Sequence, residues 1–285
     1  MTRPVRILGA AAAFVMAGTG AEHLQAQEWA TLNQARQVSG EEALSASVRY
    51  GAGELRIRPA DTGSLYRLHL RYDEGSFQPD VSYSPGSLSV GVGQSDSSPR
   101  RLGSDRAGEL DLALPRDVPT DLDLEFGAVR ADLDLGGVRL RSLNLSTGAS
   151  DSRMDVAEPN VQRLEEARFQ VGAARFEAVS LANLNADQIA VEAGVGDLTL
   201  DFGGEWSRER TVGLSVEMGL GSLTIRVPEG VGIRVVRETL LMPLEAPDLR
   251  DRGDDRISDD WDSADHRLDI SVSGAFGRIR IVRPD

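Results

Sequence analysis

Leu122-Asp123-Leu124-Glu125-Phe126-Gly127-Ala128-Val129-Arg130-Ala131-Asp132-Leu133-Asp134-Leu135 sets a pattern that the rest of the chain repeats. A glycine carries apolar residues five and three positions before it, and further apolar residues four, six and usually eight positions after it. Later copies are Leu143, Leu145, Gly148, Ser152, Met154, Val156, then Ala167, Phe169, Gly172, Phe176, Ala178. Ile189, Val191, Gly194, Leu198, Leu200, Phe202 and Leu214, Val216, Gly219, Leu223, Ile225, Val227 follow. Apolar residues two apart mark strands with one buried face, because strand side chains alternate. From the last upstream apolar position to the first downstream one the step is odd, so a straight strand would turn its second apolar set to the wrong face. Each copy is therefore strand, corner, strand, and the glycine is expected at a positive φ that a Cβ would disfavour.

Gly127, Gly148, Gly172, Gly194 and Gly219 are spaced by 21, 24, 22 and 25 residues. A fixed period in this range marks a solenoid whose coils bury their faces by stacking on neighbours. Weaker copies occur at Ala46, Val48, Gly51, Leu55, Ile57 and at Ile270, Val272, Ala275, Ile279, Ile281. The expected fold is all-β, a single-chain β-solenoid with Gly51, Gly127, Gly148, Gly172, Gly194 and Gly219 as structural corners. Outward positions agree. Three residues after the glycine, consecutive coils carry Arg130, Asp151, Arg175 and Asp197; five after it they carry Asp132, Arg153, Glu177 and Thr199. Stacked in register, these signs alternate, each pair worth about 0.2–1 kcal/mol.

At the N-terminus Arg3 and Arg6 precede the apolar run Ile7–Gly18, and Leu24-Gln25-Ala26 ends in a small residue, the order of a secretory signal peptide over residues 1–26. The apolar run is short for a bilayer span, and no other stretch is a transmembrane candidate. The chain has no cysteine, which leaves neither a lipid-anchor thiol nor a disulfide framework. The expectation is an exported bacterial protein, periplasmic or extracellular. Residues 27–45 are polar and read as a flexible lead-in. Residues 46–108 read as an antiparallel β region capping the solenoid: Tyr66, Leu68, Leu70 and Tyr72 share one strand face, and Pro85-Gly86 marks a turn between Val81–Tyr83 and Leu88–Val90. The solenoid proper then runs over 109–285, with an acidic loop at 248–265.

Without residues 1–26 the chain holds 29 basic and 44 acidic residues, a net charge of −15, which argues against nucleic acid and anionic membranes as partners. Every basic residue counted is arginine, so Schiff-base and lysine-nucleophile chemistry are excluded.

The stretch Leu114-Pro115-Arg116-Asp117-Val118-Pro119-Thr120-Asp121-Leu122-Asp123-Leu124, with Leu133-Asp134-Leu135-Gly136-Gly137 and Leu140-Arg141-Ser142-Leu143-Asn144-Leu145-Ser146-Thr147-Gly148, resembles the bacterial toast-rack proteins. That group is similar to LiaF-like cell-wall-stress proteins and to adhesin-type β-helix modules. Trp261-Asp262-Ser263-Ala264-Asp265-His266-Arg267-Leu268-Asp269-Ile270 resembles its C-terminal part. The likeness covers about residues 45–285 and implies a right-handed β-helix-like fold. It supplies no catalytic residues. LiaF-like proteins resemble membrane-bound inhibitors of an envelope-stress signalling pair, and their membrane helices have no counterpart here.

Catalytic candidates are few. His69 sits on the arginine-bearing face of its strand, and His266 is in phase with Leu268, Ile270 and Val272. Neither has an identifiable triad partner, and no serine lies in a nucleophile elbow. Asp132 with Asp134, or Asp197 with Asp201, could serve a polysaccharide-cleaving β-helix enzyme, the alternative functional class. Alternation of charge makes the structural reading of those carboxylates stronger. Gly194-Val195-Gly196-Asp197-Leu198 lacks the nine-residue period of calcium-binding glycine repeats, and no Gly-x-Gly continues into a dinucleotide fingerprint. Asp254, Asp255, Asp259, Asp260 and Asp262 could offer hard oxygen ligands to calcium, but without EF-hand spacing. The sequence thus points to a non-enzymatic envelope module for binding or scaffolding, in stress sensing or adhesion. It implies no cofactor and no resident metal, and the suspected partner is an envelope protein or glycan.

Overall fold

The computed structural model describes residues 28–94, 108–207, 209–238 and 241–284; the signal-peptide stretch lies outside them. The described residues are all-β, with seventeen strands and one 3-10 turn at Leu181–Leu184. In chain order the strands are β1 (Trp29–Gln37), β2 (Leu44–Pro59), β3 (Ser64–Asp73), β4 (Phe77–Ser84), β5 (Ser87–Gln94), β6 (Gly108–Leu114) and β7 (Thr120–Asp134). Then come β8 (Leu140–Thr147), β9 (Asp151–Asp155), β10 (Leu164–Val179), β11 (Ala186–Asp201) and β12 (Arg210–Arg226). The last are β13 (Val231–Arg237), β14 (Leu244–Glu245), β15 (Leu249–Arg252), β16 (Asp255–Ser258) and β17 (His266–Val282).

The long strands stack in parallel, in the order β2, β7, the β8–β9 pair, β10, β11, β12 and β17. Their register follows the repeat. Ala46, Leu122, Leu143, Ala167, Ile189, Leu214 and Ile270 are successive partners, and all are buried. A second buried row runs Leu55, Ala131, Ser152, Phe176, Leu198, Leu223 and Ile279. Ser152 is tolerated there because its hydroxyl donates to Ser150 Oγ at 2.9 Å, beside Thr147, so the polar atom is not left unpaired. Phe169 and Phe176, from the two halves of β10, meet inside with ring centroids 5.6 Å apart.

The burial phase inverts across each repeat glycine: Leu122, Leu124 and Phe126 are buried before Gly127, and Val129, Ala131 and Leu133 after it. The expected positive φ is not found there. None of Gly51, Gly127, Gly148, Gly172, Gly194 and Gly219 has it; Gly53, Gly196, Gly221 and Gly277 do, two residues beyond the repeat position. What holds most of the repeat glycines is clearance. A Cβ on Gly127 would lie 2.4 Å from the Gly51 carbonyl oxygen, and one on Gly219 would lie 2.5 Å from that of Gly194.

Two boundaries also differ from expectation. The polar segment after residue 27 is not a flexible lead-in throughout, since β1 pairs antiparallel with β3 from Trp29 to Gln37. The cap and the stack interleave in sequence instead of dividing near residue 108. β2 already pairs along most of its length with β7, while β5 covers its upstream half and β6 its downstream half. β4 then pairs antiparallel with β5, and β3 with β6. At the other end β13 and β14 cover the two halves of β17, and the β15–β16 hairpin extends β13. In the segments that connect the long strands, Asn160 and Asn183 are buried. Asn160 Nδ2 donates to the Leu140 and Leu184 carbonyls at 2.9 and 3.2 Å, and Asn183 Nδ2 to the Val156 carbonyl at 2.7 Å, so both buried amides are hydrogen-bonded to backbone of neighbouring repeats.

Candidate binding groove

Strict register turns each sequence position into a row running across the strands. Because the glycine row has no side chains, it leaves a trough. One section of about 580 Å³ is lined by Gln170, Glu192, Glu217 and Ser273 beside Gly172, Gly194 and Gly219. A second, of about 960 Å³, involves Arg49, Asp80, Glu125, Gly51 and Gly127, and both sections share Ser146 and Thr147. The trough ends where Met242, itself buried, packs on Gly274.

The wall before the glycines is the row Arg49, Glu125, Ser146, Gln170, Glu192, Glu217, Ser273. At one end its charges compensate, with Arg49 Nε 3.2 Å from Glu125 Oε2. At the other, Glu192 and Glu217 are direct neighbours in the ladder, and both are exposed. The row just after the glycines runs Ala173, Val195, Leu220, Phe276. Val195 and Leu220 are each 50% exposed and Phe276 58%. A soluble surface usually scatters such residues singly. Sequence reading passed over this row, although the repeat alignment places each of the three one residue after its repeat position.

The opposite charged rows behave as a ladder. Arg56, Asp132, Arg153 and Glu177 are consecutive partners, with Arg153 Nη1 2.6 Å from Glu177 Oε2. Asp134 accepts from the Gly136 N–H at 3.0 Å, Asp201 from the Gly203 N–H at 2.7 Å, and Asp197 from the Ser222 hydroxyl. Of the carboxylates considered for sugar cleavage, Asp134, Asp197 and Asp201 are thus held by turns and a neighbouring strand, and Asp132 stands beside Arg153 in the ladder. His69 meets Asn33 at 2.7 Å, and His266 lies 5.7 Å from the Trp206 ring, too far apart in the stack to cooperate.

The acidic excursion is a hairpin with arginines along it. Asp259 pairs with Arg250, Asp262 with Arg252 at 3.0 Å, and Asp260 accepts from Ser258 and lies 3.5 Å from Arg283. Among the described residues no three carboxylate, histidine or cysteine side chains converge as metal ligands. No helix among them is long and apolar enough to cross a membrane.

Residues 22–177, more than half of the chain, match the family described as the N-terminal domain of toast_rack, DUF2154. Among solved structures, a candidate cell-adhesion protein from Clostridium sporogenes is 15% identical, with 90% of this chain and 100% of that one covered and a TM-score of 0.45. A candidate adhesin from Bacteroides fragilis is 14% identical over 89% and 97% of the two chains, TM-score 0.38. A candidate lipid-binding protein from Parabacteroides distasonis is 9% identical over 88% and 96%, TM-score 0.35. No curated protein matches. The chain belongs to the toast_rack family, through the N-terminal domain that gives the family its model.

Proposed function

We propose that this protein is a non-enzymatic, exported β-solenoid of right-handed sense, its coils turning at the repeat glycines. It serves as a binding or scaffolding module of the bacterial envelope, in stress sensing or adhesion. Its ligand lies along the glycine trough. One observation carries this reading: a side-chain-free row runs from Gly51 to Gly219 across the stacked strands, lined by a polar wall and followed along the strands by an exposed apolar row, on a scaffold whose core is packed from end to end. Such a surface recognises an extended ligand without moving parts, as stacked repeats commonly do.

Crosslinking in the native cell, followed by recovery of the tagged protein and identification of attached proteins and sugars, tests it. Gln170→Trp, which fills the trough from its wall, should abolish the crosslink while leaving the fold intact. A ligand recovered equally with both forms would overturn the trough as the binding surface. A sensor kinase or another inner-membrane protein in the recovered material supports the stress role, and wall or surface polysaccharide supports adhesion.

A further inference from the structure

We infer that the end of the trough between Gln170 and Phe276 binds an extended basic segment of a partner protein in which arginine or lysine alternates with apolar side chains. This rests on the trough being the binding surface and adds the chemistry of what it takes. Exposed carboxylates at Glu192 and Glu217 line this end beside a glycine floor at Gly172, Gly194 and Gly219, and the next row along the strands, outside that lining, exposes Val195, Leu220 and Phe276. An extended chain sends successive side chains to opposite sides. Laid along the floor, it would put its basic residues against the carboxylates and its apolar residues against the ridge.

The carboxylates are the more telling half. Like charges directly opposite in a sheet are unfavourable. Elsewhere on these faces like charges also meet, but with compensation: Arg56 bridges Glu54 and Glu109, while Asp134 accepts from the Gly136 N–H and Asp155 from the Ser180 hydroxyl; Arg49 faces Glu125 in the same row as the two glutamates. Glu192 and Glu217 are flanked in their row by Gln170 and Ser273, both uncharged, and among the described residues no arginine pairs with either. Gln170 Nε2 reaches Glu192 only at 3.4 Å. A cationic side chain lying over both would supply the compensation that the fold supplies elsewhere. A neutral glycan would leave the pair uncompensated and would meet one aromatic ring, Phe276. An anionic lipid surface would be repelled.

The test uses the protein without residues 1–26 and fluorescence anisotropy with three labelled peptide probes of equal length: alternating Arg-Val, Gln-Val and Arg-Ser. The Arg-Val probe should bind, with the other two about tenfold or more weaker. Glu192→Gln/Glu217→Gln should weaken Arg-Val binding to near the level of the Gln-Val probe and lower its salt dependence. Leu220→Ser/Phe276→Ser should bring it to the level of Arg-Ser. All four positions are exposed, and unchanged melting confirms that the variants fold. Equal binding of Arg-Val and Gln-Val, or indifference to the double glutamine variant, overturns the inference. Absence of peptide binding, with an envelope glycan captured by wild type and lost in Gln170→Trp, overturns the basic peptide while keeping the trough. Capture indifferent to Gln170→Trp overturns the trough itself.

Discussion

Replacing the repeat glycines one at a time by alanine separates clearance from conformation, because the substitution is identical and none of the six has a positive φ. The nearest atom to an added Cβ lies at 3.7 Å for Gly51, 3.4 Å for Gly148, 3.0 Å for Gly194, 2.8 Å for Gly172, 2.5 Å for Gly219 and 2.4 Å for Gly127. Where the Cβ fits, alanine restricts the unfolded chain and stabilises by about 0.4–1 kcal/mol. Gly51→Ala and Gly148→Ala should therefore melt slightly higher, by about 1–4 °C at about 2–4 °C per kcal/mol. At Gly127 and Gly219 the Cβ meets the carbonyl oxygen of the next glycine about 1 Å inside ordinary contact. That oxygen belongs to backbone fixed by the strand spacing of about 4.8 Å, so relief means prying two coils apart. Overpacking of this kind costs about 1–3 kcal/mol. Gly127→Ala and Gly219→Ala should melt lower, by up to about 10 °C after the unfolded-state gain is offset. The sign should change near Gly194. Thermal unfolding followed by circular dichroism, with a urea titration to check that the slope is constant, reads the series. Gly148→Ala falling as far as Gly127→Ala would refute clearance as the reason for glycine.

Phe176→Ala removes a fully buried ring in contact with Phe169 and should cost about 3–5 kcal/mol by urea denaturation. Asn183→Ala strands the Val156 carbonyl and the Glu205 N–H, each bonded to its amide at 2.7 Å, and should cost about 1–3 kcal/mol by the same assay. Arg153→Glu places like charges beside both Asp132 and Glu177 and should lower the melting temperature slightly; adding Glu177→Arg should recover part of the loss, a coupling read from the double-mutant cycle. The Glu41 carboxyl is held down at about 2 from its ordinary 4.5, first by the Ser39 N–H and then by the Tyr83 hydroxyl. A depressed acid stabilises the fold above its unfolded pKa, and that contribution is lost as pH falls from about 4.5 through about 2. Glu41→Gln should flatten this part of the melting-temperature profile, and an unchanged profile would count against the assignment.

The parts of this fold that were legible are those a single repeat can express. Alternation on each side of the glycine, the odd step across it and the sign alternation of Arg130, Asp151, Arg175 and Asp197 all refer to one repeat or its neighbour, and register carries them into rows. Why glycine occupies the bend was not legible, because positive φ and close backbone approach leave the same letter in a sequence; only the distance between coils distinguishes them. β1 escaped notice because an edge strand on a cap buries little: Ala30, Leu32 and Gln34 are half-buried and the intervening residues exposed, so no apolar alternation announces it. Asn160 and Asn183 serve backbone carbonyls of neighbouring repeats, a role with no hydrophobic period at all. The apolar ridge is different. Ala128, Ala149, Ala173, Val195, Leu220 and Phe276 form one column of the aligned repeat, small where the trough's charges are compensated and large where Glu192 and Glu217 are not. In a structure built by strict register, a surface site is a column whose composition drifts along the stack. Two columns on either side of the glycines drifting at the same end, toward uncompensated charge and toward exposed apolar bulk, are difficult to explain by packing, which treats every repeat alike.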